Sequence, residues 1–160
     1  TDYTHVYLGV ALALAPLGAW LAVRGSLSLA PLVLAVAVVF WLIGFDIIYS
    51  IQDHEFDRRS GLHSLAVAWG VQNALKAAFI AHLAMWLLLM LFGLLSRFRV
   101  AYLVGQVVIL VSLLLEHWLA RIRSMKWTNI AFYRLNILIS IVFLVVVVSE
   151  VVTPSFRITR

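Results

Sequence analysis

Apolar residues run through this chain in long unbroken blocks, separated by short clusters of Arg, Gly, Ser and Asp. Nowhere do they alternate with period two, so a β-barrel, whose strands switch between lipid-facing and lumen-facing residues, is set aside. A helical block of ~20 apolar residues crosses the hydrocarbon core of a bilayer. About five such blocks can be drawn, over roughly 6–23, 29–51, 74–95, 100–120 and 131–152. The pattern predicts an all-α, polytopic transmembrane helix bundle, because in lipid each helix must satisfy its own backbone N–H and C=O groups. One membrane domain is expected over residues 1–160.

The breaks between blocks are as informative as the blocks. Arg24-Gly25-Ser26 closes the first, "SRFR" at 96–99 makes a tight basic link, and "RIRSMKWTN" precedes the last. The loop after the second block is longer, polar, and has room for a short amphipathic helix. The first block carries Pro16 with Gly9, Ala13 and Gly18, small residues that let helices approach closely in lipid. Trp20, Trp41, Trp118 and Trp127 fall near block ends, where they read as interface anchors. Alternating spans put the 51–73 and 121–129 loops on one side of the membrane. That side is slightly richer in Lys and Arg, which assigns it to the cytoplasm.

Composition agrees with lipid as the solvent: 64% of residues are hydrophobic and 12% charged, the latter about half the usual share of a soluble domain. The net charge of +5 is spread over the loops with no basic stripe, so nucleic acid is not the expected partner. Cysteine is absent, which removes disulfides and thiolate chemistry.

The chemistry concentrates in "GFDIIYSIQDHEFDRRSGLHS", residues 44–64. On one continuous helix, at ~100° per residue, Asp46, Tyr49, Asp53 and Asp57 share a narrow face and Glu55 falls almost opposite. Oxygen ligands in such a stripe suit a hard dication such as Mg²⁺, commonly held by one or two carboxylates together with phosphate oxygens and water. Asp53 and Asp57, about 6 Å apart along the axis, make the ion-holding pair. Asp46 lies deeper, inside an apolar run, where an ionised side chain defaults to a functional role. His54, Glu55, Arg58 and Arg59 fit equally well the solvated exit of a helix.

This stretch resembles the second aspartate-rich motif of the UbiA superfamily of intramembrane prenyltransferases, nearest its 4-hydroxybenzoate polyprenyltransferase branch. "GVALALAPLGAWLAV" resembles the span that precedes the motif in that branch, and "NIAFYRLN" resembles the loop and entry to its last span. The resemblance implies half of a nine-helix bundle around a lipid-open cavity. In that family two aspartate-rich motifs hold the diphosphate of a polyprenyl donor through Mg²⁺, and an aromatic acid such as 4-hydroxybenzoate is prenylated for ubiquinone or menaquinone biosynthesis. It implies Asp46, Tyr49, Asp53 and Asp57 as catalytic residues, with Asp46, Asp53 and Asp57 as metal ligands. Arg58, Arg59, His63 and Ser64 would contact the diphosphate; Arg134 is a candidate partner of the acceptor's carboxylate, and reads equally as an interface arginine snorkelling to water. His63 stands where many members have lysine. The family's first aspartate-rich motif is missing, and the only other aspartate is Asp2. The expectation is therefore the C-terminal portion of a longer enzyme of a bacterial inner membrane, inactive alone, whose missing half is an upstream segment or a complementary chain.

Other classes remain open at this point. A cation or proton transporter would titrate Asp46 and requires polar residues distributed through several spans, which are sparse here. CDP-alcohol phosphotransferases also use paired aspartates, but the Asp-Gly and Ala-Arg element they need upstream is not found here. A non-catalytic half-bundle that partners another chain is a third class. Gln106 and Asn136 read as inter-helix hydrogen-bonding residues. Glu116 and His117, neighbours that point ~100° apart on a helix, read as a span-end feature. His82 and Glu150 receive an equally plain structural reading.

Overall fold

The computed structural model describes the backbone of residues 4–122 and 125–152, and the side chains of 7–121 and 132–152. Seven helices follow one another: α1 (Thr4–Arg24), α2 (Leu29–Gln52), α3 (His54–Arg59), α4 (Leu65–Trp69), α5 (Val71–Leu95), α6 (Val100–Ile122) and α7 (Met125–Val152). No strand occurs among the described residues. Five helices are long and apolar enough to cross a membrane, over Tyr7–Arg24, Leu29–Gln52, Val71–Leu95, Val100–Arg121 and Phe132–Val152. All five expected spans are present, the third beginning earlier than its sequence block. The short α3 and α4 occupy the polar loop. The chain separates into two compact units, Thr1–Phe92 and Gly93–Arg160, each described on its own.

In the first unit, α1 and α2 form an antiparallel hairpin. Lipid tails are as apolar as leucine, so helices pair in a membrane by close packing and not by escape from water. Gly9 supplies the close approach: a Cβ there would sit 3.3 Å from the Val39 carbonyl oxygen and Cγ1. The turn is set by Gly25 at φ 66°, a left-handed conformation that glycine adopts without Cβ strain. Trp20 Nε1 donates to the Ser26 carbonyl at 3.0 Å, and Arg24 lies 5.6 Å from the Trp20 ring centroid. The Trp20 ring and the two chain ends of this turn thus form one interfacial knot.

In the second unit, α5 ends in a two-bond lock. The Phe98 N–H reaches the Gly93 carbonyl at 2.9 Å and the Arg97 N–H the Leu94 carbonyl at 3.1 Å, with Arg97 at φ 56°. This is the Schellman arrangement, which satisfies carbonyls left over at a helix end. A Cβ at Gly93 would collide with the Tyr102 ring, and one at Gly105 with Val146, so both glycines are packing sites between neighbouring segments. Across the α6–α7 pair, the Glu150 carboxylate accepts the Tyr102 N–H at 3.1 Å. Tyr102 lies in the first turn of α6, where N–H groups have no partner within the helix. Glu150, near the end of α7, therefore caps α6.

The polarity of α6 is reversed relative to a helix of a soluble protein. Its buried side carries Gln106, Ser112, Glu116 and His117, while Leu103, Val104, Val107, Val111, Leu114 and Leu115 are exposed. Lipid accepts the aliphatic side, so the polar groups turn inward.

Candidate active site

α2 has two distinct faces as it leaves the membrane. Gly44, Ile47, Ile48 and Ile51 are buried on one. At ~100° per residue, Asp46, Tyr49 and Asp53 fall on the other, where Tyr49 is 41% exposed. The buried face is fixed in part by Gly44, since a Cβ there would overlap the imidazole of His82, itself 1% exposed. Glycine thus admits the α5 histidine against α2 and leaves the aspartate face turned away. Ser50, the polar residue on the packed side, satisfies its hydroxyl by donating to the Ile47 carbonyl at 2.8 Å.

The continuous helix expected over 46–57 is interrupted. α2 stops at Gln52 and α3 starts at His54, with Asp53 between them at φ −93°, ψ 1°. Its ψ departs from the helical value near −42°, so the ~100° projection holds within each helix and not across the joint. Asp53 sits in the sparsely populated bridge region between helix and strand conformations, where active-site residues are over-represented. It serves as C-cap of α2 and N-cap of α3 while its carboxylate makes no capping hydrogen bond. The helical connection still carries through, because the Asp57 N–H donates to the Asp53 carbonyl at 2.8 Å. Asp53 and Asp57 remain one turn apart, on either side of a bend.

Beyond the bend, Gly61 at φ 66° closes α3, and the Leu62 N–H reaches the Asp57 carbonyl at 2.9 Å. The backbone of Asp57 is thereby tied at both ends. Glu55, expected outside the stripe, pairs instead with Arg59 at 3.0 Å on the surface. Arg58 and His63 are exposed on the same loop. Ser64 acts locally, since its hydroxyl accepts the Val67 N–H at 3.4 Å and caps α4. Arg134 lies on α7 in the other unit and is exposed.

Among the described residues, Asp46, Asp53 and Asp57 do not draw together into a three-ligand group. Two exposed or half-buried carboxylates one turn apart, both hard oxygen donors, fit Mg²⁺, which keeps several waters and takes phosphate oxygens alongside one or two protein carboxylates.

The reading of Glu116 and His117 as a span-end feature is corrected. Both are buried, at 2% and 6% exposure, and their potential ligand atoms lie within 4.8 Å of each other. The missed signal was the spacing of Tyr102, Gln106, Ile109, Leu113, Glu116 and His117, which marks one inward face. Asn136 acts as expected between helices, donating from Nδ2 to Glu116 Oε2 at 3.3 Å.

An apolar helical bundle with an aspartate-lined helix exit defines the class as an integral membrane protein with a polar site at the end of a span. The sequence matches the UbiA prenyltransferase family over residues 1–146, and the chain belongs to that family. It is 44% identical over 66 residues to a 4-hydroxybenzoate solanesyltransferase of Synechocystis sp., covering 41% of this chain and 23% of the relative. It is 31% identical over 124 residues to a 4-hydroxybenzoate octaprenyltransferase of Pseudomonas aeruginosa, covering 78% and 42%. An apo structure of a UbiA homolog from Aeropyrum pernix superposes with a TM-score of 0.78 at 26% identity, over 94% of this chain and 56% of that one. The chain thus spans less than half the length of these curated relatives.

Proposed function

We propose that the whole protein transfers a polyprenyl group from a polyprenyl diphosphate to an aromatic acid such as 4-hydroxybenzoate, with Mg²⁺, in ubiquinone or menaquinone biosynthesis. The observation that carries this reading is the bend at Asp53, which sets Asp53 and Asp57 at the mouth of an apolar span with neither carboxylate used for capping. Family membership and the names of the relatives support the reaction class.

Asp53 and Asp57 hold the ion, and Asp46 with Tyr49 lines the deeper side of the same face. Mg²⁺, when bound, supplies positive charge that offsets the charge of a departing diphosphate. Arg58 and His63 donate to phosphate oxygens, and Arg59 joins them by exchanging its surface partner Glu55 for the ligand. Ser64 donates its hydroxyl hydrogen to a phosphate oxygen while its oxygen accepts the Val67 N–H. The surrounding apolar spans keep water from a developing allylic cation. Arg134 pairs with the acceptor's carboxylate. The family's first aspartate-rich motif, supplied by an upstream segment or a complementary chain, completes the clamp, and the 160 residues alone are expected to be inactive. The membrane is a bacterial inner membrane, with the 51–73 loop in the cytoplasm.

The test is prenyl transfer in membranes with Mg²⁺, a polyprenyl diphosphate and 4-hydroxybenzoate. It compares this chain alone with this chain preceded by the sequence its gene encodes upstream, each with and without Asp53→Ala. Activity confined to the longer form and abolished by Asp53→Ala is the expected result. Activity of the 160 residues alone overturns the need for the first motif. Inactivity of every form moves weight to an ion pathway through Asp46 or to a different acceptor.

A further inference from the structure

Glu116 and His117 are consecutive on α6, so their Cα–Cβ bonds leave the helix ~100° apart. Both side chains nevertheless end on the buried side. A carboxylate oxygen of one and an imidazole nitrogen of the other lie within 4.8 Å. The carboxylate is oriented from α7: Asn136 Nδ2 donates to Glu116 Oε2 at 3.3 Å and to the Phe132 carbonyl at 2.9 Å. The second bond fixes the carboxamide, and Ser140 Oγ donates to the Asn136 carbonyl at 2.9 Å just behind it. Ionisable groups inside a lipid-spanning segment are expensive and mark function more often than packing. Prenyl transfer as proposed uses none of these three residues.

The donor types favour one class of occupant. An imidazole nitrogen beside a carboxylate oxygen suits first-row dications such as Zn²⁺ and Co²⁺, whereas Mg²⁺ takes oxygen ligands. The separation of the pair is within a side-chain rotation of two donors sharing one ion at about 2.0–2.2 Å each. Asn136 stands where metal sites keep a ligand-orienting partner, hydrogen-bonded to a liganding carboxylate. We propose that Glu116 and His117 of α6 are ligands of a transition-metal dication within the bundle, with Asn136 as the positioning residue. Two protein donors leave further coordination positions for other ligands. The site differs in ligand chemistry from the aspartate pair and is independent of the prenyl-transfer reading.

Tag-free full-length protein in detergent, stripped with a chelator and titrated with Co²⁺, tests this. The expected result is visible d–d absorption that saturates, is displaced by Zn²⁺ and persists in excess Mg²⁺. Glu116→Gln and His117→Asn each weaken Co²⁺ binding, and Asn136→Ala weakens it by about tenfold or more. Asp53→Ala leaves it unchanged, which separates this site from the aspartate pair. Thermal unfolding without metal checks each variant, and His117→Gln replaces any that fails to fold. X-ray absorption of the bound Co²⁺ loses its imidazole scattering in the His117 variant. Absence of Co²⁺ uptake by the wild-type protein, or unchanged affinity in the Glu116→Gln/His117→Asn double variant, overturns the proposal.

Discussion

The backbone of Asp57 hangs from that of Asp53: the Asp57 N–H donates to the Asp53 carbonyl at 2.8 Å across the joint between α2 and α3. The two carboxylates are therefore positioned by main chain and not by their own hydrogen bonds. Either can be removed without dismantling the bend. Asp53→Ala and Asp57→Ala are expected to lower prenyl transfer by about 10²–10³, the loss typical of an electrostatic group that acts on a leaving group. Thermal unfolding should shift little. Glu55→Gln, which breaks only the exposed pair with Arg59, should change stability by less than about 1 kcal/mol and leave the rate near wild type. Chelating Mg²⁺ should abolish the wild-type rate, and added Mg²⁺ should restore it.

Gly44→Ala should be the costly small substitution of the first unit. The new methyl group overlaps the imidazole of His82, which is 1% exposed and so has close neighbours on its other sides. Overpacking of this kind costs about 1–3 kcal/mol. Thermal unfolding in detergent measures it. Gly18→Ala, with open space around the added Cβ inside α1, is the control that should be neutral or stabilising by up to about 1 kcal/mol.

Gly61→Ala tests the loop that carries the proposed phosphate contacts. Its φ of 66° is a left-handed conformation that costs an alanine about 1–2 kcal/mol. The strain falls on the Leu62 to Asp57 hydrogen bond and so on the path of the following residues. A rise in KM for the diphosphate, with a smaller change in kcat, is expected in steady-state assays.

Glu150→Gln and Glu150→Ala should separate cleanly. Glutamine keeps an oxygen for the Tyr102 N–H, whereas alanine leaves that first-turn donor of α6 without its acceptor, at about 1–3 kcal/mol. Unfolding of the two variants should differ accordingly. Equal stability would show that Glu150 is dispensable as a cap.

The spans were legible because bilayer thickness dictates their length, and α2 and α6 lie within a residue or two of the blocks read from hydropathy. The position of the aspartates around the exit of α2 was legible, but their relative geometry was not. Projection on a wheel assumes one helical ψ throughout, and a single value of 1° at Asp53 ends that assumption. The capping role of Ser64, whose hydroxyl accepts the Val67 N–H at the start of α4, was not legible. A cap and a binding residue share the same side-chain chemistry. Glu116 and His117 were missed for a different reason: adjacency in sequence gives diverging Cβ directions, while long side chains can bend back toward one side. Asn136 was legible, since a carboxamide inside an apolar run needs a partner on another helix.

The reversed polarity of α6 means that its informative surface and its tolerant surface have traded places. On the aliphatic side, Leu103, Val107 or Leu114 can be exchanged for another aliphatic residue with little consequence, or replaced by polar residues in a water-soluble redesign that leaves the interior untouched. On the other side, replacing Gln106 or Glu116 with leucine would raise the hydropathy of the span and improve its score as a membrane helix while erasing what is particular to it.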